Sequence, residues 1–103
     1  MRAGQRNGRS AEMFVANDLR AHDWRYVFHL APWEPADLIA LRPYGVREWQ
    51  LVEVKSSTAS RERYTPLSAP ETALRERIGE LRHAVYHVRR EGSSAPWFVR
   101  SVV

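Results

Sequence analysis

The stretch Leu51-Val52-Glu53-Val54-Lys55 alternates valine with charged side chains, and it decides how the rest of the chain can be organised. Alternation with a period of two is typical of a β-strand, because successive side chains point to opposite faces of a sheet. We predict a strand from Glu48 to Lys55. Glu53 and Lys55 then share a face, about 6.5–7 Å apart along the strand. Their face also carries Trp49 and Leu51, and the other carries Gln50, Val52 and Val54.

Lys55 is the only lysine among the 16 Lys and Arg residues of the chain. The two side chains differ, because an ammonium is a compact charge with a pKa that its surroundings can shift, whereas a guanidinium stays protonated. A site that needs an amine beside an activated water would therefore retain Lys. The alternative is codon bias in a GC-rich genome that left one lysine on a strand.

Asp37 stands sixteen residues before Glu53 and opens a short apolar strand predicted from Asp37 to Leu41. An Asp, a gap and then Glu-x-Lys on a hydrophobic strand is the active-site pattern of metal-dependent phosphodiesterases. Mg²⁺ prefers oxygen ligands, usually one or two carboxylates with water and substrate oxygens. We expect Asp37, Glu53 and the backbone carbonyl of Val54 to bind the metal, and Lys55 to hold the attacking hydroxide or the scissile phosphate.

Glu12 is a fourth candidate, on a helix predicted from Ala11 to about His22 with Ser10 as its N-cap. Helical spacing places Glu12 on the apolar side with Val15, Ala16 and Leu19. A carboxylate there is costly unless it is paired or bound to a cation, so Glu12 could complete a metal shell or serve a second metal. The alternative is a first-turn glutamate favoured by the helix dipole.

The remaining segments predict an α/β domain with a mixed sheet, in the order α-β-β-β-α-β-β. Residues 1–9 are polar and basic, and we interpret them as a mobile arm. Apolar residues with a helical period predict a second helix over Pro70 to His83, with Leu74, Ile78, Leu81 and Val85 as its stripe. The other predicted strands are Trp24–Leu30, Val85–Val88 and Trp97–Val103, and loops are predicted over 42–47, 56–69 and 91–94.

Composition limits the function classes. The 103 residues, 44% hydrophobic, suffice for one domain over 1–103, and a net charge of +4 favours a polyanionic partner, although a basic domain without one is the alternative. The absence of cysteine excludes disulfides and thiolate metal sites. We find neither a membrane-spanning apolar run nor a secretory signal, so a cytoplasmic protein without a membrane partner is expected.

At these residues the chain resembles the PD-(D/E)xK nuclease superfamily, and within it the archaeal-type Holliday junction resolvases. The resemblance is carried by Gly8, Glu12, Asp37-Leu38-Ile39-Ala40 and Glu53-Val54-Lys55, and it covers most of the chain. It implies a restriction-endonuclease-like mixed sheet flanked by helices, a homodimer, and catalytic roles for Glu12, Asp37, Glu53 and Lys55. The related virus-type nucleases often have a glutamine early in the next helix, where this chain reads Ala69-Pro70-Glu71-Thr72.

Other residues are candidates for contacts with DNA. Phosphate contacts are expected from Arg6, Arg9, Arg61, Arg63 and Tyr64, although the last three could equally form a solvated loop. Of the four tryptophans, Trp33 in a Pro-flanked loop is the best candidate to stack on a base. His83 and His87 could share a helix face, but zinc would need further ligands, so surface histidines are favoured.

These observations predict an endonuclease that uses Mg²⁺, or Mn²⁺ as a substitute, and cuts branched or structured DNA in recombination or repair. Symmetric cleavage of a four-way junction would require two active sites related by a two-fold axis, which a homodimer supplies. Two alternatives stay open. One is a restriction- or repair-type nuclease on duplex DNA, and the other is a non-catalytic nucleic-acid-binding module of the same fold.

Overall fold

The predicted Glu-x-Lys strand lies at the centre of the sheet. The computed structural model describes residues 3–42, 48–58 and 65–103, with backbone alone for 3–7. In this part of the chain the order is α1 (Ala3–Ala21), β1 (Tyr26–His29), β2 (Leu38–Leu41), β3 (Trp49–Thr58), α2 (Ala69–Ile78), a 3₁₀ turn (Glu80–Arg82), β4 (His83–Arg90) and β5 (Phe98–Val102). The predicted α/β order is confirmed.

The five strands form one mixed sheet in the order β1-β2-β3-β4-β5. β1, β2 and β3 pair antiparallel, β3 pairs with β4 in parallel, and β5 returns antiparallel along β4. Antiparallel neighbours accept short connections, whereas a parallel pair needs a crossover. α2 and the 3₁₀ turn form that crossover, so the chain after Lys55 must return across the sheet before β4 begins.

α1 packs on one face of the sheet and forms the core with it. Its buried residues recur at helical spacing, and most of the sheet residues that pack against them are alanine or valine. The cluster comprises Ala11, Val15, Ala16, Leu19, Val27, Leu38, Ala40, Val52, Ala84, Tyr86 and Val88. Val52 therefore lies on the face that α1 covers. Glu53 and Lys55 lie on the opposite face, in agreement with the predicted alternation.

The start of α1 differs from the prediction, because the helix begins at Ala3 and Ser10 is not its N-cap. The arm predicted for residues 1–9 is helical from Ala3 onward. Extending an existing helix adds a hydrogen bond for each residue fixed, so a polar segment without proline can continue a helix that is docked further along. The Ser10 hydroxyl instead accepts a hydrogen bond of 2.8 Å from Trp97 Nε1.

The end of α2 also differs, because the helix stops at Ile78 and not at His83. Gly79 has φ +89°, a left-handed conformation that glycine adopts without a Cβ clash, and its N–H donates to the Arg75 carbonyl. The predicted apolar stripe is broken there, and Leu81 is 97% exposed. His83 and His87 both lie on β4, so they do not share a helix face.

Within the described ranges, no helix has both the length and the apolar character needed to cross a lipid bilayer.

We expect Gly79→Ala to lower the free energy of unfolding by about 1–2 kcal/mol, because an L side chain is strained at this φ. A Cβ at Gly79 would meet no atom of the described residues within 4 Å, so the effect comes from backbone conformation and not from a clash with a neighbouring group. Gly92→Ala is the matched control, since its Cβ also meets open space and its φ lies outside the left-handed region. Urea unfolding measures both, and equal stability of the two variants would contradict the assignment.

Candidate active site

Asp37 is fixed at the point where β2 begins, beside the middle of β3. Its N–H donates to the Val52 carbonyl at 3.0 Å, and its Oδ2 accepts from the Val54 N–H at 2.7 Å. A carboxylate that accepts a backbone N–H is held in one orientation. The sequence prediction that Asp37 and Glu53 meet at neighbouring strands therefore agrees with the geometry, because Glu53 lies between the two backbone groups that hold Asp37.

Glu53 is buried on the face of β3 opposite α1. Burial raises its pKa far above the usual range, and a hydrogen bond with Glu71 and the charge of Asp37 raise it further. Its Oε1 lies 3.7 Å from Lys55 Nζ, whereas its Oε2 is buried and has no hydrogen-bond partner among the described residues. Buried polar atoms normally have a partner, so this oxygen indicates a site for a cation or a donor.

Lys55 is held by Glu71, a residue that the sequence analysis did not select. Lys55 Nζ donates to both carboxylate oxygens of Glu71, at 2.9 and 3.0 Å. Glu71 is the third helical residue of α2, where it forms a capping box with Ser68. The pattern Ser68-x-x-Glu71 is a recognisable helix start, so the sequence could have marked Glu71 as a capping residue but not as a partner of Lys55.

The pKa of Glu71 moves in the opposite direction to that of Glu53. Burial alone would raise the pKa of Glu71, but the hydrogen bonds with Glu53, Ser68 and Lys55 outweigh burial and lower it. The surroundings therefore favour the neutral form of the Glu53 carboxyl and the ionised form of the Glu71 carboxyl.

Glu12 reaches the same cluster from α1. It lines an open cleft of about 610 Å³ together with Arg9, Met13, His29, Leu30, Ala31, Pro32 and Asp37. Burial and the charge of Asp37 raise the pKa of Glu12 to about 7, and Arg9 partly offsets them. The charge of Asp37 thus acts on both Glu12 and Glu53, and Glu53 in turn interacts with Glu71. The ammonium of Lys55 lies among these carboxyl groups.

A divalent cation suits the chemistry of this cluster. The donors are carboxylate oxygens, which hard cations prefer, and the unpartnered Glu53 Oε2 is available. Among the described residues, no three His, Asp or Glu side chains are placed to hold a metal together. Asp37 and Glu53 could supply two protein ligands, and a cation here would take its other oxygens from water, backbone or substrate, as Mg²⁺ commonly does.

The predicted DNA-contact residues have different outcomes. Arg9 lines the cleft beside Glu12, and Trp33 follows Pro32 of the cleft wall with 82% of its surface exposed. Trp24, Trp49 and Trp97 are instead covered by Arg42, Arg82 and Arg90, at 4.2, 4.6 and 4.3 Å from the ring centroids. Arg6 lies in the backbone-only part of α1, and Arg61, Arg63 and Tyr64 lie outside the described residues.

The histidines were predicted to lie at the surface, and for His83 that prediction was wrong. His83 is fully buried at the start of β4, with Nδ1 at 3.2 Å from an Arg75 guanidinium nitrogen that also donates to its carbonyl. His87 is the register partner of Lys55 and is half-buried. It lines a second cleft, of about 490 Å³, with Thr65, Pro66, Leu67, Arg75, Glu80, Val85 and Val103.

Comparison of the chain with protein-family models, with curated proteins and with solved structures finds no match.

We expect Glu12→Gln to stabilise the fold at about pH 8 more than at about pH 5, measured as melting temperature in EDTA. The folded pKa of about 7 exceeds the ordinary 4.5, so the contribution of Glu12 is full below pH 4.5 and is lost as pH rises through 7. Gln cannot ionise, so the variant avoids this loss of unfolding free energy, which is on the order of 1 kcal/mol once solvent screening is allowed for. Exposed Glu76→Gln is the control, and parallel pH profiles for parent and Glu12→Gln would refute the assignment.

Proposed function

We propose that the chain is a Mg²⁺-dependent endonuclease that hydrolyses phosphodiester bonds of branched or otherwise structured DNA, with Mn²⁺ as a possible substitute. The observation that carries the proposal is the convergence of Asp37, Glu53 and Lys55 at the meeting point of β2 and β3. The resemblance of these residues to the PD-(D/E)xK nucleases supports the same reaction class, and the mixed sheet is compatible with that fold.

Asp37 and Glu53 are the residues that would hold the cation, with the Val54 carbonyl as a further proposed ligand. A bound divalent cation supplies Lewis acidity and lowers the pKa of water at the site. The Val54 N–H fixes Asp37 before any ligand binds, so its carboxylate needs little reorganisation. Glu53 must lose the proton that burial favours, and a nearby cation provides the opposite charge that makes this possible.

Lys55 supplies the positive charge of the site, either to the attacking water or to a phosphate oxygen. Its Nζ lies within 3.7 Å of Glu53 Oε1, and its side chain is only 15% exposed. An ammonium in such a place interacts more strongly than one in water, because little solvent screens it. A guanidinium has the same charge, but it is larger and planar and would place that charge elsewhere.

The cleft beside Asp37 is the proposed path of the DNA strand. Arg9 provides a cation at its wall, and the exposed ring of Trp33 stands beside it. Phosphate contacts from arginine position a strand, and an exposed aromatic ring stacks on an unpaired base. Unpaired or splayed bases occur at junctions and branches, so Trp33 favours structured DNA over continuous duplex.

We expect Asp37→Asn and Lys55→Arg each to abolish cleavage of a labelled four-way junction in Mg²⁺ while leaving DNA binding largely intact. Asp37→Asn removes a ligand charge, and Lys55→Arg keeps the charge but displaces it. Loss of at least about 100-fold in rate is expected for each, since misplacement by about 1 Å can cost that much. The control is Arg77→Lys on the exposed face of α2.

The substrate panel should include junctions, flaps, duplex and single strands, each with Mg²⁺ and with EDTA. Cleavage by Lys55→Arg at the parent rate would leave the two acids as the sole basis for the assignment. Binding without Mg²⁺-dependent cleavage of any substrate would instead identify a non-catalytic binding module.

We expect millimolar Mg²⁺ or Mn²⁺ to raise the melting temperature of the parent, because a ligand that binds only the folded state stabilises it. A bound cation reduces the electrostatic repulsion between the carboxylates of Asp37 and Glu53. The rise in melting temperature should therefore be lost in Asp37→Asn and in Glu53→Gln. Glu76→Gln, exposed on α2, should keep the full gain. An equal gain in all four proteins would place the cation elsewhere.

We also propose a homodimer, since paired cuts across a junction need two sites related by a two-fold axis. Tyr26 and Phe28 alternate on edge strand β1 and are 50% and 56% exposed, on the sheet face that α1 leaves uncovered. Such rings are expected to be buried in an assembly of two small domains.

Sedimentation at micromolar concentration, with and without junction DNA, is expected to show a dimer, and Phe28→Arg is expected to shift it toward monomer. His22→Arg, at an exposed position near the end of α1, is the matched control. A strict monomer with and without DNA would remove the symmetric resolvase and leave a nickase.

A further inference from the structure

The contact between Lys55 and Glu71 has the geometry of a built interaction. Both Glu71 oxygens accept from one nitrogen, at 2.9 and 3.0 Å, and the two side chains are 15% and 11% exposed. An exposed ion pair contributes little, because water screens it and two long side chains must be ordered. A largely dry, charge-assisted pair with two hydrogen bonds is stronger and fixes direction.

The position of the Glu71 carboxylate is set independently of Lys55. Its Oε1 also accepts from the Ser68 N–H at 2.6 Å, and the Ser68 hydroxyl accepts from the Glu71 N–H at 3.3 Å. These two bonds form the capping box of α2, so the carboxylate is anchored to the first turn of that helix. Glu71 can therefore serve as a fixed point for a flexible lysine side chain.

The alternative partner of Lys55 is Glu53, whose Oε1 lies 3.7 Å from Nζ. Without Glu71, the ammonium would be drawn toward Glu53, where it would compete with a cation for the same carboxylate. Nζ lies 2.9 and 3.0 Å from the two Glu71 oxygens and 3.7 Å from Glu53 Oε1, so the ammonium is held closer to Glu71 than to Glu53.

We propose that Glu71 is a positioning residue, which holds the Lys55 ammonium beside Glu53 while leaving Glu53 available to the metal. The inference rests on the proposed nuclease function and extends its site from β2 and β3 to the crossover helix. Glu71 acts through Lys55 and needs no contact with the DNA.

The test compares Glu71→Ala and Glu71→Gln with Ser68→Ala, which breaks half of the same cap without touching the lysine contact. We expect Glu71→Ala to lower kcat on a labelled junction by roughly tenfold to 100-fold with little change in KM for DNA, because positioning is lost and binding is not. The Mg²⁺ concentration for half-maximal rate should rise. Glu71→Gln keeps a capping side chain but loses the charge, so it should show the same defects more weakly. Ser68→Ala should stay close to the parent in kcat and in the Mg²⁺ concentration for half-maximal rate.

Since Lys55 is the only lysine, ¹⁵N-labelled lysine gives a single side-chain ammonium resonance. That resonance should shift in both Glu71 variants and stay in place in Ser68→Ala, whatever their rates. The proposal is overturned if Glu71→Ala keeps the parent kcat and Mg²⁺ requirement, or if Ser68→Ala reproduces its defects. A parent chain that cleaves no DNA would overturn the nuclease function itself, whereas an active parent with an equally active Glu71→Ala removes only the role of Glu71.

Discussion

The hydrogen bond from the Val54 N–H to Asp37 Oδ2, 2.7 Å long, determines where the acidic cluster lies. It ties the residue before β2 to the middle of β3, so the Asp37 carboxylate must lie beside Glu53. The ladder between the two strands starts at the next pair, Leu38 with Val52. The Asp37 side chain therefore accepts the Val54 N–H just beyond the end of this ladder.

The negative charges of this acidic cluster destabilise the folded chain. Burial and the neighbouring charges raise the pKa of Glu53 and of Glu12, which means that their ionised forms are disfavoured in the folded chain. Structures retain such groups where a function uses them, and perturbed carboxyls gathered at a cleft are a common mark of a catalytic site. Lys55 offsets part of the charge, but its Nζ lies closer to the Glu71 carboxylate than to that of Glu53. The proposed divalent cation would supply further positive charge at Asp37 and Glu53.

Local patterns predicted the parts of the site that depend on one strand or on neighbouring strands. Alternation fixed the faces of β3, and the apolar run after Asp37 placed a second strand beside it. The contact between Glu71 and Lys55 was not predicted, because it depends on how the crossover helix packs on the sheet, which no local sequence pattern encodes. The C-terminal end of α2 was predicted too late in the chain for another reason. Gly79, with its positive φ, ends the helix, whereas the apolar spacing that continues past Gly79 suggested a longer one. The helical start at Ala3 was missed because polar composition suggests an arm, whereas a docked helix can extend through it.

The contacts of the arginines differ from those of Lys55, the single lysine of the chain. In the described part of the chain, arginines cover the faces of three tryptophans, a task that suits a planar guanidinium, and they pair as Arg42 with Trp24, Arg82 with Trp49 and Arg90 with Trp97. Lys55 meets a different demand, since two oxygens of one carboxylate accept from a single nitrogen while a second carboxylate stands 3.7 Å away. A guanidinium would spread its donors over a wider plane and bring one of them onto Glu53. Stacking on tryptophan suits the three arginines, whereas the position of Lys55 between Glu53 and Glu71 suits a compact ammonium.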